Sequence, residues 1–467
     1  MENSRLIEVW RRLDRKSIRD LGKFVASPYH NQRQDVRDLY DYLASLPGHL
    51  PSAKISKARI YPILYGRLAY EEKKICYAMS FLYQVIKSFL AYRAFEEETW
   101  QSQVYLSRAF KKMGLNRQFE TEIKDMGKKL EQQPLRDVNY HYLNYQMRLE
   151  ESDYRISQKR AGAESFQAVS DEFNVFFIAN RLRLSCSAVS HRAFSQTQYE
   201  NDLLEEVLAL VEQGDYLEIP AIALYYYIYK SMTEIGSENY FQQLKSVLHR
   251  HQACFQGKEL RDIYIMIINN GIRQFNQGQK WYMQEVFELY KAGLQLGIFI
   301  ENGILSPFTY KNIVTAGLIL KEFDWVAEFL ETYKSYINAK DRESVFNYNL
   351  AILYYRKPDY PQAMKLLRSI EFSDVLHDLD ARRMLLKMYY ELKEFSPLES
   401  LLISFRTFIY RHKELGYHKT NYLNLIRYTD KLLSLDFYDK AKVQKLREEI
   451  ERTEALAEKN WLLGQLA

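Results

Sequence analysis

Three aromatic residues, Phe323, Tyr360 and Phe395, stand 37 and 35 residues apart and keep the same apolar company. Six, seven and ten positions after them come Phe329, Leu330 and Tyr333, then Leu366, Leu367 and Ile370, then Leu401, Leu402 and Phe405. Ten and nine positions before them come Ile313 and Val314, Leu350 and Ala351, Leu385 and Leu386; six before come Gly317, Tyr354 and Tyr389. Spacings of this kind gather side chains on one helix face, so each unit reads as two amphipathic helices joined by a short turn just ahead of the aromatic. One helix pair cannot bury both of its apolar faces. Stacking pairs in series can, and a period in the mid-thirties is the length of such a pair. The chain is therefore expected to be all-α, an α-α superhelix built from helix pairs.

Composition agrees. Seventeen glycines and ten prolines in 467 residues are about half of average usage, which leaves few breaks for long helices. Ile75, Met79, Leu82, Ile86 and Phe89 repeat at 4-3-4-3 spacing and predict a long helix from about Tyr70 to Arg93. Shorter helices are expected over about 3–13, 16–27, 33–45 and 56–65, and about twenty in the whole chain. The Gln132-Gln133-Pro134 stretch ends a helix and suggests a boundary. That gives an N-terminal helical domain over residues 1–133 and helix-pair repeats over 134–467, clearest at 308–410. From Leu135 to about Ala292 the pairs continue without a fixed period.

One unit carries a family likeness. Asn349-Leu350-Ala351-Ile352-Leu353-Tyr354-Tyr355 followed by Asp359-Tyr360-Pro361-Gln362-Ala363 resembles a tetratricopeptide repeat, with Ala351, Tyr354, Tyr360 and Ala363 at the matching places. The neighbouring units carry Val326 and Leu398 in place of Ala363, and Val314 and Leu386 in place of Ala351. They should pack less closely. The phrases Lys23-Phe24-Val25-Ala26-Ser27-Pro28-Tyr29-His30-Asn31 and Lys459-Asn460-Trp461-Leu462-Leu463 also resemble an uncharacterised bacterial helical-repeat family, which implies no activity.

The tetratricopeptide resemblance implies that the first helix of each pair lines a concave groove. Counted from the three aromatics, the groove positions are Lys311, Thr315, Leu318 and Ile319, then Tyr348, Ile352, Tyr355 and Arg356, then Arg383, Lys387, Tyr390 and Glu391. Basic and aromatic groups dominate. The candidate site is Lys311, Tyr348, Tyr355, Arg356, Arg383, Lys387 and Tyr390, suited to a protein or peptide with acidic groups. The 38 tyrosines fit both packing and binding, since each joins an apolar ring to a hydroxyl. Tyr354 and Tyr389 are expected to pack, and Tyr355 and Tyr390, about 100° further round the helix, to face outward.

Catalytic chemistry finds no foothold, so no enzyme, metal or cofactor is expected. His249, His251 and Cys254 are a poor ligand set, because His249 points away from the other two. His412 and His418 are six apart, where a metalloprotease helix needs four. Gly271, Gly278 and Lys280 echo a phosphate loop at the wrong spacing, and a turn using Gly278 explains them better. Cys186 and His191 lack a third orienting group.

Three dispersed cysteines and no basic-then-apolar leader point to a cytoplasmic protein without a membrane span. The net charge of +5 is small beside 65 basic and 60 acidic residues, and the first hundred residues hold all of it. Arg11, Arg12, Arg15, Lys16, Arg19 and Lys23 make that end the place for the alternative function, a nucleic-acid-linked regulator. Asp14 and Asp20 interrupt the stretch.

Overall fold

The computed structural model describes every residue except 49, 159–162, 196–198, 201, 235–237, 371–374, 413–414, 417 and 467, with backbone alone at 163–165 and 193–195. The described residues form 23 α-helices and one hairpin of two-residue strands, β1 (Ile300–Glu301) and β2 (Ile304–Leu305). The fold is all-α. Contacts divide the chain into two units, 1–178 and 179–467.

The first unit opens with α1 (Arg5–Trp10), α2 (Arg15–Ala26), α3 (Gln34–Ser45), α4 (Lys57–Tyr65) and α5 (Glu72–Glu97). Ser4 and Asp14 cap the first two through their side chains, satisfying amides that a helix start leaves open. Helix α5 is rich in Ile, Val, Phe and Tyr, which cost a few tenths of a kcal/mol each in a helix. Burying them is worth about 1.5–3 kcal/mol apiece, and burial prevails. Ile75, Met79, Leu82, Ile86 and Phe89 are all buried, against Ile7, Trp10, Leu21, Val25, Leu39 and Tyr61.

Then come α6 (Thr99–Lys112), α7 (Asn116–Gln132), α8 (Val138–Ser157) and α9 (Ala163–Ser195), the last of which crosses into the second unit. Helix α7 does stop at Gln132. That stop does not separate two cores, however. Val104, Phe119, Ile123 and Met126 share a cluster with Met147 and Tyr154 of α8. The division falls between Ile178 and Ala179, inside a continuous helix. A helix stop is a local event, whereas a core closes only when the next apolar face has been added.

The second unit continues with α10 (Leu204–Gln213), α11 (Pro220–Thr233), α12 (Glu238–His251), α13 (Gly257–Asn276) and α14 (Tyr282–Gln295). The repeats proper are α15 (Pro307–Ile319) with α16 (Phe323–Tyr333), α17 (Arg342–Arg356) with α18 (Tyr360–Ser369), and α19 (Val375–Glu391) with α20 (Phe395–Arg411). After them come α21 (His418–Leu433), α22 (Lys440–Arg452) and α23 (Lys459–Gly464). Each aromatic anchor is the first residue of its second helix.

The repeat register is visible in burial. Val314, Ala351 and Leu386, nine before the anchors, are each 0 % exposed, as are Val326, Ala363 and Leu398, three after. Leu330, Leu367 and Leu402, seven after, are also buried. The pair α17–α18, which carries the fully buried small residues Ala351 and Ala363, is the most closely packed of the three. Elsewhere glycine supplies the close approach. A β-carbon on Gly317 would lie 2.5 Å from Val326 Cγ2, and one on Gly271 would lie 2.6 Å from Val286 Cγ2.

Candidate functional site

The turn inside each pair sets where its first helix faces. Before Phe323, the Glu322 N–H donates to the Gly317 carbonyl at 2.9 Å and the Lys321 N–H to Leu318 at 3.2 Å. Before Phe395, Glu394 donates to Tyr389 at 2.9 Å and Lys393 to Tyr390 at 3.0 Å. These are paired Schellman bonds, which satisfy the last carbonyls of a helix around one left-handed residue. Lys321 and Lys393 take that role, at φ 63° and 59°. Before Tyr360 only the outer bond forms, Asp359 to Tyr354 at 2.9 Å, because Pro358 has no N–H to give.

The outer bond common to all three turns keeps equivalent positions of successive first helices in register. Lys311, Tyr348 and Arg383 each lie twelve residues before their anchor. Lys311 Nζ sits 5.5 Å from the Tyr348 ring centroid. The Tyr348 hydroxyl donates to Asp380 Oδ2 at 2.7 Å, and Asp380 Oδ1 accepts from Arg383 Nε and Nη2 at 2.8 and 2.6 Å. Eight before the anchors, Lys387 Nζ stands 5.8 Å from the ring of Tyr355. Lys311, Tyr348 and Arg383, and likewise Tyr355 and Lys387, are thus brought together across three helices.

Their exposure differs from the expectation. Tyr348 is only 3 % exposed, because its hydroxyl reaches the neighbouring unit rather than solvent. Tyr355 and Tyr390 are half-buried rather than outward-facing; Tyr355 stacks on Tyr360 at 5.9 Å. Lys311 is half-buried and Arg356 exposed, as are Thr315 and Ile319. Tyr389 is buried as a packing residue, and its hydroxyl accepts from Arg368 Nη2 at 2.6 Å.

Arg383 and Lys387 are already engaged by a distant part of the chain. Glu458, just ahead of α23, accepts from Arg383 Nη1 through Oε1 and from Lys387 Nζ through Oε2, the latter at 2.8 Å. Three residues on, Trp461 packs edge-on to Tyr390 with centroids 5.4 Å apart. Its indole N–H donates to Glu391 Oε1 at 2.8 Å. Glu391 Oε2 in turn accepts the Tyr360 hydroxyl proton. Asp380, Glu458 and Trp461 are members of this site that the sequence analysis missed. Only the repeat spacing hints at Asp380; nothing local points to Glu458, 75 residues from Arg383.

The electrostatics match. Burial works to raise the carboxyls of Asp380 and Glu458, but the cations and hydroxyl beside them prevail and hold both below the ordinary range. Burial works to lower Arg383, and Asp380 with Glu458 raises it instead. Tyr348 is pushed up by burial and then by Asp380. Arg383 lies between the Asp380 and Glu458 carboxyl groups, and Lys387 joins it on Glu458.

The other candidates resolve into structure. Helix α12 ends at His251, and Cys254 lies in a following 3-10 turn, so the two share no helix face. Among the described residues no group of three or more His, Cys, Asp or Glu is placed to hold a metal ion. Gly271 lies inside α13 and Gly278 at φ 100° in the turn after it. Cys186 is 0 % exposed and donates to the Tyr225 carbonyl at 3.3 Å. Burial pushes its thiol up, the wrong direction for a thiolate nucleophile. Arg11, Arg12, Arg15, Lys16, Arg19 and Lys23 are exposed, with Arg11 near Glu2 and Lys23 paired to Asp20. A cleft of about 950 Å³ lies over α7 and α8, but two of its cations, Arg148 and Arg155, pair with its own Glu151. None of the described helices is long and apolar enough to cross a membrane.

No family model, curated protein or solved structure matches this chain.

Proposed function

We propose that this chain is a non-enzymatic protein-binding scaffold of tetratricopeptide-like helix pairs. The outward faces of α15, α17 and α19 receive a peptide or helix that carries a carboxylate. The observation behind this reading is the seat of Glu458, where a carboxylate takes hydrogen bonds from Arg383 and Lys387. Charge-assisted bonds from a guanidinium are a strong and geometrically selective way to hold an acid. The row from Lys311 to Lys387 extends that seat over three pairs, and Thr315, Ile319 and Arg356 stay exposed along it. Three cysteines outside any disulfide favour a reducing, cytoplasmic setting.

The test is affinity capture from native lysate with full-length chain as bait, comparing wild type with a Lys311→Glu/Arg356→Glu variant. Neither position bonds Glu458, whose partners Arg383 and Lys387 are unchanged in this variant. The expected outcome is a protein retained by wild type, lost by the variant, and released as salt screens the ion pairs. Identical protein sets from both baits would overturn the reading. Nucleic acid eluting equally from both would move attention to the exposed cations of α1 and α2.

A further inference from the structure

The two contacts of the α23 segment fall on a particular set of residues. Glu458 holds Arg383 and Lys387; Trp461 meets Tyr390 and Glu391. In the repeat register these are the positions twelve, eight, five and four before Phe395. Those are the four expected groove positions of the third first helix; Arg383, Lys387 and Tyr390 are half-buried, Glu391 is exposed, and the Tyr390 ring also packs on the core cluster. A segment that served only to close the apolar end of the array would need apolar contact. It has that through Leu462 and Leu466, buried in the core cluster with Leu446 and Ile450, and through the Trp461 ring packed against the same cluster. The Glu458 bonds and the Trp461 indole N–H add a polar engagement that core closure does not require.

Glu458 is also held in an unusual backbone state. It sits at φ 57°, ψ 31°, a left-handed conformation that disfavours residues with a β-carbon. Strain of this kind persists where surrounding contacts over-determine it, and it is a pointer to function. The flanking chain is tied down on both sides. The Ala457 N–H donates to the Asn421 carbonyl at 3.2 Å, Asn424 Nδ2 to Ala455 at 2.9 Å, and Arg447 Nη2 to Leu466 at 2.7 Å.

We propose that the α19 face bearing Arg383, Lys387, Tyr390 and Glu391 is the docking site for an external partner, and that Glu458 to Trp461 occupies it in cis. The partner presents the same chemistry, a helical turn that begins with a carboxylate and carries a tryptophan three residues later. The carboxylate takes both cations. The indole lies against Tyr390 and gives its N–H to Glu391. Binding requires release of the resident turn, so the closed clasp sets the apparent affinity by the fraction of time it is open. This inference rests on the scaffold reading and names the partner of its site.

The probe is a fluorescently labelled peptide of residues 454–467, titrated against full-length protein and followed by anisotropy. Wild type should bind it weakly. A Glu458→Ala/Trp461→Ala variant, which keeps Leu462 and Leu466 and whose fold is checked by circular dichroism, should bind it about tenfold more tightly or better. A peptide altered to Gln at 458 and Ala at 461 should not bind. Adding Arg383→Ala and Lys387→Ala to the open variant should abolish the gain.

If the folded double variant binds the peptide no better than wild type, the segment is a structural cap and the proposal fails. A wild-type dimer that exchanges this segment between copies, seen by sedimentation and lost in the double variant, would also overturn it, since the partner would be a second copy. A lysate protein lost on Lys311→Glu/Arg356→Glu with no peptide binding anywhere would leave the scaffold standing and remove this site from it.

Discussion

Asn31 is 8 % exposed and its side chain makes three hydrogen bonds. Its amide donates to the carbonyls of Val25 and Arg33, each at 3.1 Å, and its Oδ1 accepts the Arg33 N–H at 3.0 Å. It therefore joins the end of α2 to the approach to α3, while His30 stacks on Phe24 at 3.6 Å. The phrase that drew attention in the sequence is thus a built turn. Replacing Asn31 with Ala should cost about 1–3 kcal/mol in urea unfolding, because buried backbone groups lose their partners. Asn31→Asp should cost at least as much, since a carboxylate has no N–H to give. Tyr348 carries a related lesson. Its register made it a groove residue, yet its hydroxyl is spent on Asp380. Position along a helix determines direction, whereas the availability of a polar group depends on what it meets there.

Within single elements, the agreement between pattern and structure is close where the pattern is periodic. The helices expected over about 3–13, 16–27, 33–45 and 56–65 are found at Arg5–Trp10, Arg15–Ala26, Gln34–Ser45 and Lys57–Tyr65. Caps and turns trim their ends. The repeat turns are less legible, because their left-handed position is held by lysine where glycine would be the usual choice. Lys393→Gly should therefore stabilise the protein by about 0.5–1 kcal/mol, by relieving the β-carbon clash at φ 59° at some cost in unfolded-state entropy. Thermal melts of this variant and of Lys321→Gly, at φ 63°, would check it. No rise in either would mean that the lysine side chains stabilise the turns by other contacts. The expected boundary at Pro134 illustrates the limit of such reading: the helix stop is real, and the core of α6 and α7 continues through it into α8.

At the scale of the molecule, tyrosine finds its explanation. Tyr65 bonds Asp35, Tyr154 bonds Glu120, Tyr225 bonds Glu259, Tyr348 bonds Asp380 and Tyr360 bonds Glu391, at separations of 30 to 34 residues. That distance is about one repeat. At Tyr225, Tyr348 and Tyr360 the hydroxyl reaches an acid of the following pair and ties successive pairs together, whereas Tyr65 and Tyr154 reach back to the preceding helix. The clasp extends the same logic to a longer range. With Asp380 and Glu458 both held below the ordinary range, their ionised forms stabilise the fold above pH 4.5, the ordinary value of a glutamate carboxyl. This contribution is lost as the pH falls through the depressed values, below the ordinary 3.8 of Asp380 and the 4.5 of Glu458. Glu458→Gln should lower stability at neutral pH by about 1.5–3 kcal/mol, since the carboxylate is only 21 % exposed. It should also flatten the acid limb. Urea unfolding from neutral pH down to about pH 3 would test both, and an unchanged acid limb would exclude Glu458 from it.

The sequence by itself determined the fold class, the helix faces and the register of the pairs. Those properties depend on residues three, four and seven positions apart, whose relation a helix fixes as soon as it forms. It also determined which side chains of α15, α17 and α19 share a register, though not which of them stay exposed. The tertiary structure alone decided what they meet. Arg383 and Lys387 were legible as cations on a shared face. That Glu458 would be the acid against them, and Trp461 the ring against Tyr390, depends on α21 and α22 folding the chain back. A contact between residues more than seventy positions apart leaves no periodic trace, because it depends on how whole helices stack rather than on any neighbour along the chain.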